Sequence, residues 1–278
     1  MSKLFITDLD HTFLRSDLSI SSYSVDIWNQ KAKTSYMSVA TARSFLKSQE
    51  LLSQLHINAP MILLDGAMII SPEKKIISIK TLHKDIADDI VQVGSSFGID
   101  PFIIGLNSLD SLDEKFLYPR RLNEHQKHVL KGYKNDPRMQ FNPNNLAMRE
   151  NLKIVYFGSK EQLEPLSCEL QKLFGKDIEC KLSPEKYGGG WFLTILHPDG
   201  DKANALKEVI SYLEISSQDM TVFGDSINDI GMFGLAGNSI AVANALDEVK
   251  KVATHILPHS NDEDGVAKYL ASTLILKL

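Results

Sequence analysis

Cysteine is scarce in this 278-residue chain, with only Cys168 and Cys180, far apart and without metal-ligand spacing. That pattern argues against a thiolate metal site and predicts two reduced, buried thiols. Positive charge is also short. Thirty Lys and Arg face 35 Asp and Glu, a net charge of −5, so no basic surplus exists to neutralise a nucleic-acid backbone. No apolar run is long enough to span a bilayer, and the first apolar strand begins at residue 3, which leaves no room for a signal peptide. A cytoplasmic protein without membrane or nucleic-acid partners is expected. There is no internal repeat and no low-complexity linker. Gly188-Gly189-Gly190 has no P-loop spacing around it. What remains is ordinary globular composition, 43% hydrophobic and 23% charged, at a length that accommodates two domains.

The segment Lys3 to Leu14, KLFITDLDHTFL, organises the rest. Leu4-Phe5-Ile6 is apolar on consecutive positions and reads as a buried parallel strand. Asp8, Asp10 and Thr12 follow at spacing two, which in extended chain puts them on one side. Neighbouring carboxylates repel and desolvate badly unless a cation or a shared proton joins them. A Mg²⁺ ion would resolve that conflict, and the end of a central strand is where an open α/β sheet binds its ligand.

Further along, Ser21 or Ser22 caps a helix to about Lys33. Tyr36–Thr41 reads as a second strand, and a helix follows with Phe45, Leu46, Leu51, Leu52 and Leu55 on its apolar positions. Met61–Leu64 is a third strand closed by the Asp65-Gly66 turn signal. Ala67–Ile70 and Lys75–Ile79 look like a hairpin. This is the opening of a doubly wound sheet. From about Leu82 the rhythm changes to short strands and helices, and from Asp201 the α/β alternation returns, with a strand at Met220–Phe223, helix at Asn244–Val252 and amphipathic helix from Gly265. The expected fold is therefore α/β, a doubly wound, mostly parallel sheet core with an inserted α+β domain. Its expected bounds are 1–81 and 199–278 for the core and 82–198 for the insertion.

Four separated pieces stand at strand ends or helix starts: Asp8/Asp10/Thr12, Thr41, Lys202, and Asp225 with Asn228 and Asp229. DLDHT, VATAR, the lysine of DGDKANAL, and GDSINDIGMF together resemble the four motifs of the haloacid dehalogenase (HAD) superfamily. The large insertion between the second and third motifs, and the tail AVANALDEVKKVATHIL, resemble its Cof-type phosphatases. Three departures stand out. His11 and Ala42 replace glycines of the family pattern, and Asp65 stands where Asn is usual.

The resemblance implies a role for each matching residue. Asp8 would be the nucleophile taking the phosphoryl group, and Asp10 the acid and base. Thr41 and Lys202 would offset phosphoryl charge. Mg²⁺ would be held by Asp8, the backbone carbonyl of Asp10, and Asp225, with Asp229 ordering its waters. Thr12, Arg43 and Asn228 are further candidates for substrate contact. In the inserted domain, expected to act as a cap that closes the site, Arg120, Arg121, Lys186, Tyr187 and Trp191 are candidates for binding the leaving group. A small phosphorylated metabolite is the expected partner. A sugar phosphomutase using the same nucleophile, and a catalytically idle binding module, are the rival readings.

Overall fold

The computed structural model describes residues 3–109, 112–185 and 189–274. The chain divides into two compact units, Met1–Ser78 with Lys202–Leu278, and Ile79–Asp201, bounds a few residues outside 82 and 198.

The first unit begins with β1 (Leu4–Thr7), α1 (Ser22–Lys31), β2 (Tyr36–Val39), α2 (Phe45–Leu51), β3 (Met61–Leu63), β4 (Met68–Ile70) and β5 (Ile76–Ile79). All four residues of β1 are buried, because a central parallel strand is covered on both faces and needs a continuous apolar run. The Ser21 hydroxyl accepts from the Ser24 N–H at 3.0 Å and caps α1, meeting one of the donors a helix start leaves open. The Trp28 ring on α1 meets Phe13 edge-on at 5.0 Å, which ties α1 to the loop after β1.

The inserted unit contains β6 (Leu82–His83), α3 (Lys84–Ser96), β7 (Phe102–Leu106), β8 (Glu114–Pro119), α4 (Glu124–Lys131), β9 (Met139–Asn142), β10 (Glu150–Gly158), α5 (Lys160–Phe174), β11 (Glu179–Pro184) and β12 (Trp191–Leu196). Its sheet runs β11-β12-β10-β7-β8-β9, with β6 also on β10. The long strand β10 is buried along almost its whole length. One face packs on α3 and α5 through Ile154, Tyr156, Leu163 and Leu166. On the other, Phe102, Phe116, Val155 and Phe157 form a second, aromatic cluster.

The chain then returns through α6 (Lys202–Leu213), β13 (Met220–Gly224), α7 (Ile230–Phe233), β14 (Asn238–Ala241), α8 (Asp247–Val252), β15 (His255–Ile256) and α9 (Gly265–Leu274). The core sheet has the order β15-β14-β13-β1-β2, and every pairing in it is parallel. In register, Thr7 stands beside Val39 on one side and Phe223 on the other. The carboxyl ends of β2, β1 and β13 therefore lie side by side, and chain order reverses across β1. That is the place where an open α/β sheet puts its ligand.

Three expectations change. β3 is not a full member of the core sheet. It pairs antiparallel with β4 and reaches β2 through one parallel bridge, Ala40 to Ile62, because the chain leaves the sheet at Ala40. The helix expected from Asn244 starts only at Asp247, since the residues before it are committed elsewhere. Asn244 Nδ2 donates to the His11 carbonyl, its Oδ1 accepts from the Asn261 N–H, and the Leu246 N–H donates to the Asp225 carbonyl. Cys168 is exposed rather than buried, on the outer face of α5. Cys180 is half-buried 3.5 Å from the Ser167 hydroxyl, and burial pushes its thiol pKa up.

Candidate active site

Asp8 is still extended, with its N–H on the Phe223 carbonyl at 3.0 Å, but the chain beyond it is not. β1 ends at Thr7, and Leu9–Phe13 curl into a wide helical turn in which the Leu14 N–H reaches the Leu9 carbonyl at 2.8 Å. Within it His11 takes φ of 58°. The family-pattern Gly would meet that left-handed backbone without a steric penalty. The side chains of Asp8, Asp10 and Thr12 are consequently sent to three different partners, where period-two alternation placed them together.

Asp8 Oδ1 accepts from Lys202 Nζ at 2.9 Å. Asp10 accepts two hydrogen bonds from Arg43, Nε to Oδ2 at 2.7 Å and Nη2 to Oδ1 at 2.6 Å. Thr12 Oγ1 donates to Asp225 Oδ1 at 2.8 Å across 213 residues of chain. Lys202, at the first turn of α6, is fully buried, and its ammonium also bonds Asp229 Oδ1 at 2.8 Å. The other oxygen of Asp229 accepts the N–H groups of Asp225 and Ser226, each at 3.0 Å. Asp229 thus pins both the loop after β13 and the lysine. Gly224 is required beside it, because a Cβ there would lie 2.6 Å from the Asp229 side chain.

Carboxylate oxygens of Asp8, Asp225 and Asp229 fall within 4.8 Å of one another, and all three residues are buried. Two unit charges at that spacing repel by about 3 kcal/mol at an effective dielectric of 20. Three carboxylates face one ammonium. Burial drives the Asp8 carboxyl well above the ordinary carboxylate range; Lys202 opposes this, while Asp229, Asp225 and Asp10 add to it. Burial by itself would lower the Lys202 pKa, but Asp229 and Asp8, with Asp65 behind them, raise it. Lys202 is therefore a permanent cation, and the cluster still lacks positive charge. An all-oxygen, anionic donor set fits a hard divalent cation, so this trio could hold a metal ion.

Thr41 follows β2, fully buried, with its N–H on the Ile62 carbonyl at 2.9 Å. Its Oγ1 accepts from the Arg43 N–H at 3.1 Å, which leaves the hydroxyl hydrogen for another acceptor. Asn228 Nδ2 donates to Asp65 Oδ1 at 2.7 Å. Asn228 Oδ1 is closed off from solvent and finds no donor among the described residues. Asp65 is legible in the sequence as a turn signal and as a departure from the family pattern, and neither announces its link to Asn228.

The candidates of the inserted unit separate. Arg120 is exposed. Arg121 is bound through Nε and Nη2 to the buried Asp100, at 2.9 and 3.1 Å, so two of its donors are already used. Trp191 is half-buried against the helical side of the lobe's core, with Lys160 Nζ 5.1 Å from its ring centre. Lys186 and Tyr187 lie outside the described residues.

The family model of haloacid dehalogenase-like hydrolases matches residues 5–270. The chain is 23% identical over 279 residues to the 5-amino-6-(5-phospho-D-ribitylamino)uracil phosphatase YitU of Bacillus subtilis, covering 96% of each. It is 24% identical over 278 residues to the HMP-PP phosphatase of an Enterobacter species, covering 99% of this chain and 96% of that one. In structure it is similar to a haloacid dehalogenase-like hydrolase from Bacteroides thetaiotaomicron, with TM-score 0.80, 21% identity, and coverage of 98% and 100%. Among the described residues no helix is long and apolar enough to cross a membrane. With the motif residues gathered at the strand ends and the family model running from β1 into α9, the chain belongs to the haloacid dehalogenase-like hydrolases, as a phosphatase of that family.

Proposed function

We propose that this chain is a Mg²⁺-dependent phosphatase that hydrolyses small phosphomonoesters, sugar phosphates or similar metabolites, through a phosphorylated Asp8. The observation that carries the reading is the buried trio Asp8, Asp225 and Asp229 joined to Lys202. Asp8, the backbone carbonyl of Asp10 and Asp225 would hold the ion, whose positive charge would offset that of the phosphoryl group.

The chain's own residues supply the remaining chemistry. A carboxylate oxygen of Asp8 attacks phosphorus as the ester P–O bond breaks, and the leaving oxygen takes a proton from the Asp10 carboxyl. Asp10, now a carboxylate, takes a proton from the water that attacks the phosphorus next. The bond to Asp8 breaks, phosphate leaves, and Asp8 is restored. Arg43 bonds both oxygens of Asp10 and so favours its carboxylate form, which suits the base step; in this reading the pair opens when Asp10 takes up the proton it delivers as the acid. Thr41 donates its hydroxyl to phosphoryl oxygens, and Lys202 offsets the charge on them and on Asp8. Thr12 holds Asp225 in place, and Asp229 fixes Lys202.

Selection of the leaving group is assigned to the inserted unit, with Arg120, Tyr187 and Trp191 as the contacting candidates and Arg121 held back by Asp100. The YitU name specifies a phosphorylated ribityl chain, which supports a hydroxyl-rich leaving group. A cytoplasmic setting goes with that substrate class. The test is phosphate release over a panel of phosphorylated metabolites with Mg²⁺. Free phosphate should appear in proportion to ester consumed, with no bisphosphate primer. A product that is only an isomeric ester, formed when a bisphosphate is supplied, would move the assignment to a mutase. An inert panel would remove it.

A further inference from the structure

The mechanism above leaves one buried acid of the core without a task. Asp65 is 4% exposed and follows β3 in a turn where Leu64, Asp65 and Gly66 take φ of 51°, 61° and 118°. Left-handed backbone costs an L-residue about 1–2 kcal/mol, and Leu, unlike Asp, has no local hydrogen bond to soften it. The turn makes specific contacts. The Leu64 N–H donates to the Arg43 carbonyl and the Asp65 N–H to the Thr41 carbonyl, both at 3.0 Å. The Asp65 carboxylate accepts from Asn228 Nδ2, and its charge also acts on Lys202. One strained turn therefore touches the loop of Thr41 and Arg43, the loop of Asn228 and Asp229, and the field at Lys202.

An ionised carboxylate only accepts hydrogen bonds, so Asp65 decides which end of the Asn228 amide it faces. The nitrogen is taken, and the oxygen is left buried without a donor among the described residues. Turning the amide over would set oxygen against oxygen. That orientation leaves an acceptor unmet, a cost tolerated at functional sites when something else depends on the arrangement.

We infer that Asp65 is a positioning residue, which locks the Asn228 amide and thereby fixes the Asn228–Asp229 turn relative to Thr41. The inference rests on the phosphatase reading above for its catalytic consequence, but not for the lock. Asp65→Ala should lower kcat about 10- to 100-fold with KM changed less than threefold. Asp65→Asn keeps an acceptor at the same place and tolerates the left-handed backbone, so it should recover most of the rate. Asn228→Ala should lose a similar amount to Asp65→Ala, and the double variant should be no worse than the poorer single.

A readout independent of turnover is the Asn228 side-chain amide in ¹⁵N-resolved NMR. In the wild type its two hydrogens should be resolved and slow to exchange, and in Asp65→Ala that protection should be lost. Persistence of protected signals in a folded Asp65→Ala protein overturns the lock. Single losses that multiply in the double variant overturn the coupling, and an Asp65→Ala kcat within twofold of wild type overturns the catalytic consequence. If the wild type releases no phosphate from any ester, the function assigned above fails, and the amide signals alone then decide the lock. If Asp65→Ala does not fold, Asp65→Ser serves in its place under the same criteria.

Discussion

Asp8 in the core and Asp100 in the inserted unit are equally hidden aspartates, 6% and 4% exposed, yet their carboxyls move in opposite directions. Burial pushes both upward. At Asp100 it is outweighed by hydrogen bonds from Arg121 and Ser95, by the charge of Arg121, and by Asn145, so its pKa falls. At Asp8 one shared lysine stands against three further carboxylates, and the pKa rises. The inserted unit treats its acid as structure, meeting nearly every oxygen. The core leaves the cluster of Asp8, Asp225 and Asp229 with one ammonium among three carboxylates, and a carboxylate in that state at a strand end is suited to meet a cation and a phosphoryl group. Both are hidden from solvent, but Asp8 lies deeper, and the partners widen that difference.

The sharpest way to break the comparison is to neutralise each acid in turn. Asp8→Asn removes the nucleophile at constant volume, and phosphate release should fall by on the order of 10³-fold or more with the melting temperature held or raised. Asp100→Asn should cost about 1–2 kcal/mol of stability in the inserted unit and leave kcat on the smallest ester within a few-fold. Chemical denaturation and phosphate assays on both variants check this. Equal catalytic losses in the two would end the distinction.

Metal binding gives the next largest effect. Because the core acids lack positive charge, Mg²⁺ should stabilise the protein, by about 2.7 kcal/mol at a hundred times its Kd, read as a rise of several degrees in melting temperature. Asp225→Asn should erase that rise. Asp100→Asn should leave it intact. Chelator should abolish phosphate release and added Mg²⁺ restore it; full activity in excess chelator contradicts the assignment.

The smallest effect is in pH. In chelator, the raised Asp8 carboxyl contributes stability that is fully present below the unfolded carboxylate value of about 3.9 and is lost as pH rises through the folded pKa. Asp100 has the opposite sign: its contribution is present above about 3.9 and lost as pH falls through its depressed value. Asp264 behaves like Asp100, since Arg15, Ser21 and Ser24 outweigh its burial. The two tryptophans report separately, with Trp28 in the core and Trp191 in the inserted unit. In chelator, as pH falls from neutral, the core melt followed through Trp28 should therefore drop more steeply in Asp8→Asn than in its parent, and the inserted-unit melt followed through Trp191 less steeply in Asp100→Asn. Changes of the same sign in the two variants would show that the two units do not differ in this way.

The amino-acid sequence by itself determined most of the elements and, through its resemblance to the four family motifs, which groups to propose as reacting. Consecutive apolar residues in Leu4–Ile6 dictate a doubly covered strand, Ser21 or Ser22 marks where α1 begins, and Asp8, Thr41, Lys202 and Asp225 are picked out by motifs that match the family pattern. These are local facts, written in neighbouring residues. What each side chain bonds is not local. Thr12 finds Asp225 across 213 residues and Lys202 finds Asp8 across 194, while Arg43 turns to Asp10, Arg121 to Asp100 and Asn228 to Asp65. The same holds for the curl after β1 that defeats the two-residue alternation, and for the late start of α8. Only the tertiary structure decided these, because a hydrogen bond between distant segments depends on where the sheet sets their backbones, and no spacing along the chain encodes that distance.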